Sequence, residues 1–206
     1  MAQNLPVVEA LLRHFGRLPG IGPRSAERIV FDLLRRDTDE VLAFAEALSD
    51  IKTKVKHCPI TFNLTDGDRC RIYDNPRRNR QQVLVVEQPK DVIAIEDAGS
   101  FKGTYHVLLG RLAPLEGVEP EDLTGDALFK RVADDDVQEV ILGTNPTLEG
   151  DTTALYLTDE IRKRRPKITI TRLARGLAAG GAIEYANRSM LADALQNRQA
   201  MEGDDE

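Results

Sequence analysis

Cysteine is scarce: two residues among 206, which excludes a small fold held by a disulfide framework. Long apolar runs are also missing, since none approaches the roughly 18 residues of a membrane span. The amino terminus lacks the basic–apolar–small order of a secretory signal. The chain therefore reads as cytoplasmic and reduced, with no membrane partner. Internal repeats and low-complexity tracts are absent too. Positive charge is in deficit, with 28 Lys and Arg against 34 Asp and Glu and a net charge of −6. That balance argues against a general polyanion binder. What remains, 41% hydrophobic and 30% charged residues, describes a globular protein of one domain or two small ones.

The distribution of charge carries more than its sum. Residues 1–36 hold six Arg against Glu9, Glu27 and Asp32, and residues 69–80 hold five Arg against Asp74. Acid collects in 116–139 and in the tail Glu202-Gly-Asp-Asp-Glu206, which reads as disordered. A basic amino-terminal third on an acidic body suits contact with phosphate at one end.

Apolar residues at helical spacing predict helices over 7–15, 24–34 and about 39–55. Between the first two, Leu18-Pro-Gly-Ile-Gly-Pro23 is a helix-hairpin-helix signature. Gly20 and Gly22 permit a tight turn whose N–H groups can hold a phosphate oxygen without reading a base. Arg24 and Arg28, one turn apart, are placed to reach neighbouring phosphates. A plain helix–helix turn with a solvated Arg pair is the competing reading. The flanking helices and the local basic excess favour DNA.

Residues 56–79 contain no long periodic run and hold Cys58-x2-Thr61 and Cys70-x2-Tyr73. Two Cys-x2-Cys pairs at this spacing would form a tetrahedral zinc site. Half of the ligands are missing here, so zinc through Cys58 and Cys70 is disfavoured, with His57, Asp68 and Asp74 as the only nearby substitutes. The expectation is a remnant module held by packing, without a cofactor.

From residue 82 the texture becomes strands (82–86, 104–109, 138–143, 167–172) alternating with helices (90–98, 121–133, 150–164). A short helix over 189–200 follows. Such alternation predicts a mostly parallel sheet flanked by helices. Two strands end in acidic and turn-forming residues, Val83-Leu-Val-Val-Glu-Gln-Pro-Lys-Asp91 and Val140-Ile-Leu-Gly-Thr-Asn-Pro-Thr-Leu-Glu-Gly-Asp151. These segments resemble the paired acidic motifs of the Toprim fold of topoisomerases, primases and some DNA-repair proteins. In catalytic Toprim members an Asp-x-Asp and a first-motif Glu hold magnesium. Here Glu87 is kept, but Asn145 and Thr147 stand where the two Asp belong, and an amide and a hydroxyl are weak ligands for a hard cation.

The order of these motifs resembles the bacterial RecR family of recombination mediators over nearly the whole chain. Cys58-Pro-x-x-Phe-Asn63, Asp74-Asn-Pro-Arg-Arg78, Arg172-x-Ala-x-Gly176 and Gly180-Gly-x-x-Glu-Tyr185 add to the match. Departures are Thr61 and Tyr73 for two cysteines, Gly176-Leu-Ala-Ala-Gly-Gly181, and Ser189-Met-Leu191. The resemblance implies four parts. Residues 1–55 would be a helix-hairpin-helix domain for DNA binding and oligomerisation, 56–79 a degenerate zinc-finger-like module and 80–174 the Toprim domain. Residues 175–206 would be a subunit-contact segment with an acidic tail.

It further implies a non-enzymatic scaffold, dimer to tetrameric ring, that binds single- and double-stranded DNA without sequence preference. Such a ring works with RecO and RecF to load RecA recombinase on gapped DNA. Glu87 and Glu149 would then belong to a partner-docking face, and Asn145 and Thr147 follow family practice. The alternative is a metal-dependent phosphodiester enzyme, nuclease or primase-like, using Glu87, Glu149 and Asp151. A third, weaker option is an oligomeric hub that never touches DNA, which the clustered Arg disfavours.

Overall fold

Proline at the first helical position fixes two of the three amino-terminal helices. Pro6 opens α1 (Pro6–Gly16) and Pro23 opens α2 (Pro23–Leu33), where a missing N–H leaves no bond unmade. Asp37 precedes α3 (Thr38–Thr53) in extended backbone, two residues or fewer from the expected limits. The computed structural model describes residues 5–134, 136–177 and 179–198. Ala178, the last two residues of the expected 189–200 helix and the acidic tail lie outside them. The chain divides into two compact units, Met1–Val55 and Lys56–Glu206.

The first unit has almost no interior. Among its described residues only Ala26 and Val30 are buried, both on α2, while Leu34, Leu42, Leu48 and Ile51 are more than half exposed. A helical trio of this kind is amphipathic without a second layer to bury its apolar faces.

The second unit is built on a four-stranded parallel sheet. Its strands are β3 (Asn79–Val86), β4 (Gly103–Val107), β5 (Glu139–Leu142) and β6 (Thr169–Arg172), in the order β4-β3-β5-β6. Before them, β1 (Lys56–His57) and β2 (Leu64–Thr65) make a small antiparallel pair, and α4 (Arg71–Asp74) is a single turn. Helices α5 (Pro89–Ala98), α6 (Gly125–Asp134), α7 (Leu148–Arg164) and α8 (Arg188–Gln196) complete it. Alternation along β3 sorts the core into two layers. Val83 and Val85 pack with Leu128, Phe129, Leu157 and Ile161 of α6 and α7. Leu84 and Val86 pack with Val92 of α5 and with Phe62 and Ile72 of the insert.

The insert therefore closes one edge of the sheet rather than standing apart from it. The Val107 N–H donates to the Thr61 carbonyl at 2.8 Å. Outward carbonyls of β4 accept from side chains in turn: Gly103 from Arg78, Tyr105 from Arg131 at 2.8 Å, and Val107 from Thr124 at 2.7 Å. An edge covered this way offers no template for another strand. Thr124 also explains a difference from expectation. The helix expected over 121–133 begins at Gly125, because Thr124 is drawn to the sheet by its hydroxyl and by its N–H to the Leu108 carbonyl. Residues Pro120–Asp122 are left as a single 3₁₀ turn. The strand expected over 104–109 stops at Val107, and Leu109 takes a positive φ of 62°.

Candidate functional site

Strand order reverses between β3 and β5, and in parallel sheets that point leaves a crevice beyond the carboxyl ends of the strands. Glu87 follows β3 directly, and Asn145 follows β5 by three residues. Glu87 is buried, 4% exposed, and both of its carboxylate oxygens are occupied. Oε1 accepts from the Asn145 backbone N–H at 2.7 Å, and Oε2 accepts from the Asn145 side-chain amide at 2.6 Å. The amide thus holds, by donation, the carboxylate that in catalytic Toprim proteins faces magnesium.

The neighbouring motif residues are committed to local structure. Thr147 caps α7, its hydroxyl accepting from the Gly150 N–H at 3.1 Å. Gly150 is required by close approach, since a Cβ there would collide with the Asn145 carbonyl oxygen. Asp91, in the first motif, accepts from the Gln88 N–H at 2.8 Å and so closes the start of α5. Asp151 is bonded to Arg172 at 2.5 Å and to Arg175, and these guanidiniums hold its carboxyl down to about 2. Glu149 stays accessible. Its own N–H, then the Thr147 hydroxyl, with a smaller contribution from Arg111, lower its pKa.

These donors do not fit a magnesium site. Of the three acids in the enzyme reading, Glu87 and Asp151 have their oxygens engaged by Asn145, Arg172 and Arg175. No group of three acidic, His or Cys side chains poised for a metal occurs among the described residues. Glu149 is half-buried, whereas Glu87 is buried and fixes the loop through Asn145.

The insert does not fit zinc either. Cys58 and Cys70 are buried and unbonded to each other. Burial opposes a Cys58 thiolate, but the Thr61 hydroxyl, with N–H groups of Thr61, Ile60 and Cys70, outweighs it and lowers the thiol pKa. Asn63 Nδ2 lies 3.7 Å from Cys70 Sγ. Tyr73, at a position expected for a ligand, instead lies beneath the guanidiniums of Arg80 and Arg131, at 4.8 and 5.3 Å. The possible substitutes are engaged elsewhere: His57 with the Phe62 carbonyl, Asp68 with Lys56, and Asp74 with Arg69.

In the first unit the hairpin turn is as its sequence demands. Gly20 has φ +78°, and Gly22 is the extended residue preceding α2. Both glycines are exposed, and beyond their chain neighbours no atom lies within 4 Å of where a Cβ on either would sit, so a phosphate can approach the turn closely. Arg24 and Arg28 are exposed on successive turns of α2. The residues that sequence reasoning passed over are Arg172 and Arg175 as partners of Asp151.

A hairpin turn open to phosphate, joined in one chain to a Toprim-type sheet with an amide at its acidic centre, defines a DNA-associated Toprim protein. Residues 81–174 match the Toprim domain, and residues 8–52 match the family described as "RecR, helix-hairpin-helix". Recombination protein RecR of Rhodopirellula baltica is 45% identical over 98% of this chain and 100% of its own length. The RecR of Rubrobacter xylanophilus is 44% identical over the same shares, and that of Herpetosiphon aurantiacus 48% over 94% of each chain. The chain belongs to the RecR family of recombination proteins.

Asn145→Asp would test the amide's part. It replaces a donor with a second carboxylate against buried Glu87, so stability at pH 7 should fall by about 1.5–3 kcal/mol. The shared proton raises a carboxyl pKa in the folded state, and a raised carboxyl costs stability as pH rises. Urea denaturation should therefore show the deficit relative to wild type narrowing from pH 7 to pH 5. A deficit that does not change with pH would contradict the arrangement.

Proposed function

We propose that this chain is a non-enzymatic, DNA-binding mediator of recombination. It assembles as a dimer and then a tetrameric ring in the cytoplasm, and it works with RecO- and RecF-type proteins to load RecA recombinase on gapped single-stranded DNA. The observation that carries this reading is the pairing of Glu87 with Asn145. A carboxylate with both oxygens bonded inside the protein is spent on structure, and Asp151 is likewise spent on two arginines. The crevice then serves for docking, with Glu149 as the contact and Glu87 as its support.

Assembly is supported by the first unit. Exposed Leu34, Leu42, Leu48 and Ile51 on helices with almost nothing buried call for a second apolar surface, and another copy supplies one by symmetry. DNA contact is assigned to Gly20, Gly22, Arg24 and Arg28. One hairpin neutralises few phosphates, each contributing about 0.9 to the salt slope on duplex DNA. Several copies in one ring act together through effective concentration. Arg24→Ala with Arg28→Ala should weaken binding of a labelled oligonucleotide severely and flatten its salt dependence, with the native mass unchanged. Unchanged affinity would make the hairpin a packing element.

We also assign no zinc to residues 56–79. Structural zinc contributes folding energy through four closed ligands. Elemental analysis should give far less than one zinc per chain, and chelators should leave the melting temperature in place. Stoichiometric zinc lost in Cys58→Ser would refute this.

A further inference from the structure

The densest positive charge in the chain lies outside both regions discussed so far. Five of the six residues from 162 to 167 are basic: Arg162, Lys163, Arg164, Arg165 and Lys167, interrupted by Pro166. They end α7 and lead into β6. Cations in a last helical turn are expected to complement the helix dipole. That accounts for Arg162, Lys163 and Arg164. It does not account for Lys167, which stands beyond the helix and beyond a proline.

Local pairing uses only part of this charge. Glu160 takes Lys163 at 2.5 Å and Arg164 at 2.6 Å, and Arg164 also stacks on the Phe129 ring, 4.5 Å from its centre. Arg165 donates to the Val132 carbonyl at 2.9 Å. Arg162 and Lys167 are exposed and have no ion pair among the described residues. Beside Lys167 runs a shallow open groove of about 590 Å³, lined by Gln138, Arg164, Arg165, Lys167 and Thr169, whereas Arg162 stands outside it, near Thr158 and Arg172. Among the described residues its lining offers N–H and O–H donors and no carboxylate.

We infer that this groove is a second phosphate-binding track, on the Toprim unit, for the backbone of a nucleic acid. The reading rests on the DNA-binding function proposed above. An open channel lined by cations and neutral donors suits an extended polyanion rather than an enclosed small molecule. Phe129 is covered by Arg164, so the groove offers no exposed aromatic face for base stacking, and recognition is independent of sequence. Location gives the track its use. α7 has 17 residues and so is about 25 Å long, with Glu149 in its first turn and the basic run in its last. DNA on the groove and a protein docked at Glu149 therefore occupy opposite ends of one helix without competing.

The test uses the full-length protein and labelled duplex and single-stranded oligonucleotides, with anisotropy followed against salt. Lys167→Gln removes the unpaired cation of the groove and no internal bond. Its slope of log affinity against log salt on duplex should be shallower by about 0.9, the contribution of one phosphate. Lys90→Gln makes the same change in net charge elsewhere and should leave the slope as it was. Added to Arg24→Ala and Arg28→Ala, the groove variant should remove the binding that remains. If the hairpin variant binds normally while the groove variant is impaired, the hairpin assignment fails and the groove stands. A groove variant with wild-type affinity and slope, or a control equally impaired, overturns the inference.

Discussion

The second unit turns on two hydrogen bonds between one buried carboxylate and one asparagine. An ionised carboxylate in a protein interior costs several kcal/mol unless its oxygens are satisfied. Bonds to a charged acceptor return about 1.5–3 kcal/mol each. Glu87 and Asn145 close that account across the ends of β3 and β5. The surrounding geometry follows from the same need. The Gly143 N–H bonds the Val85 carbonyl at 2.7 Å, keeping the strand ends in register. Gly150 lets the loop lie against α7, and Thr147 starts that helix. Residues that in a catalytic relative would gather round a metal here hold the loop that presents Glu149.

Charge is partitioned in the same spirit. The acidic body keeps its half-buried acids paired, Asp151 with Arg172 and Arg175, and Glu96 with Arg78 and the Tyr105 hydroxyl. Unpaired basic groups stand at the surface, on α2 and at the end of α7. The proposed mediator uses one kind of surface for phosphate and another for protein. The insert, through Thr61 and Arg78, together with Arg131 and Thr124, covers the β4 edge with backbone and side-chain bonds, so the sheet is protected there.

Much of this was legible in the residues alone. The hairpin turn, the Toprim motifs and the order of strands and helices all depend on local signals: Gly20 at positive φ, prolines opening helices, and β-branched runs ending in acid. What escaped depends on distant partners. No spacing rule places Arg131 on the Tyr105 carbonyl or Thr124 on that of Val107, and it is Thr124 that shifted the start of α6. Glu87 was legible as a site residue, but its burial and its bonding to a residue 58 positions away were not. The partners of Asp151 lie more than 20 positions away and come near only when β6 lies beside β5.

Manganese titration followed by electron paramagnetic resonance tests the central claim most directly, because Mn²⁺ reports any carboxylate site that would accept magnesium. With Glu87 bonded by Asn145, the wild-type protein should leave the free-ion signal undiminished at stoichiometric manganese, and Glu87→Gln should behave in the same way. One tightly bound manganese per chain, lost in Glu87→Gln, would show that the carboxylate is available to a cation and would contradict the account.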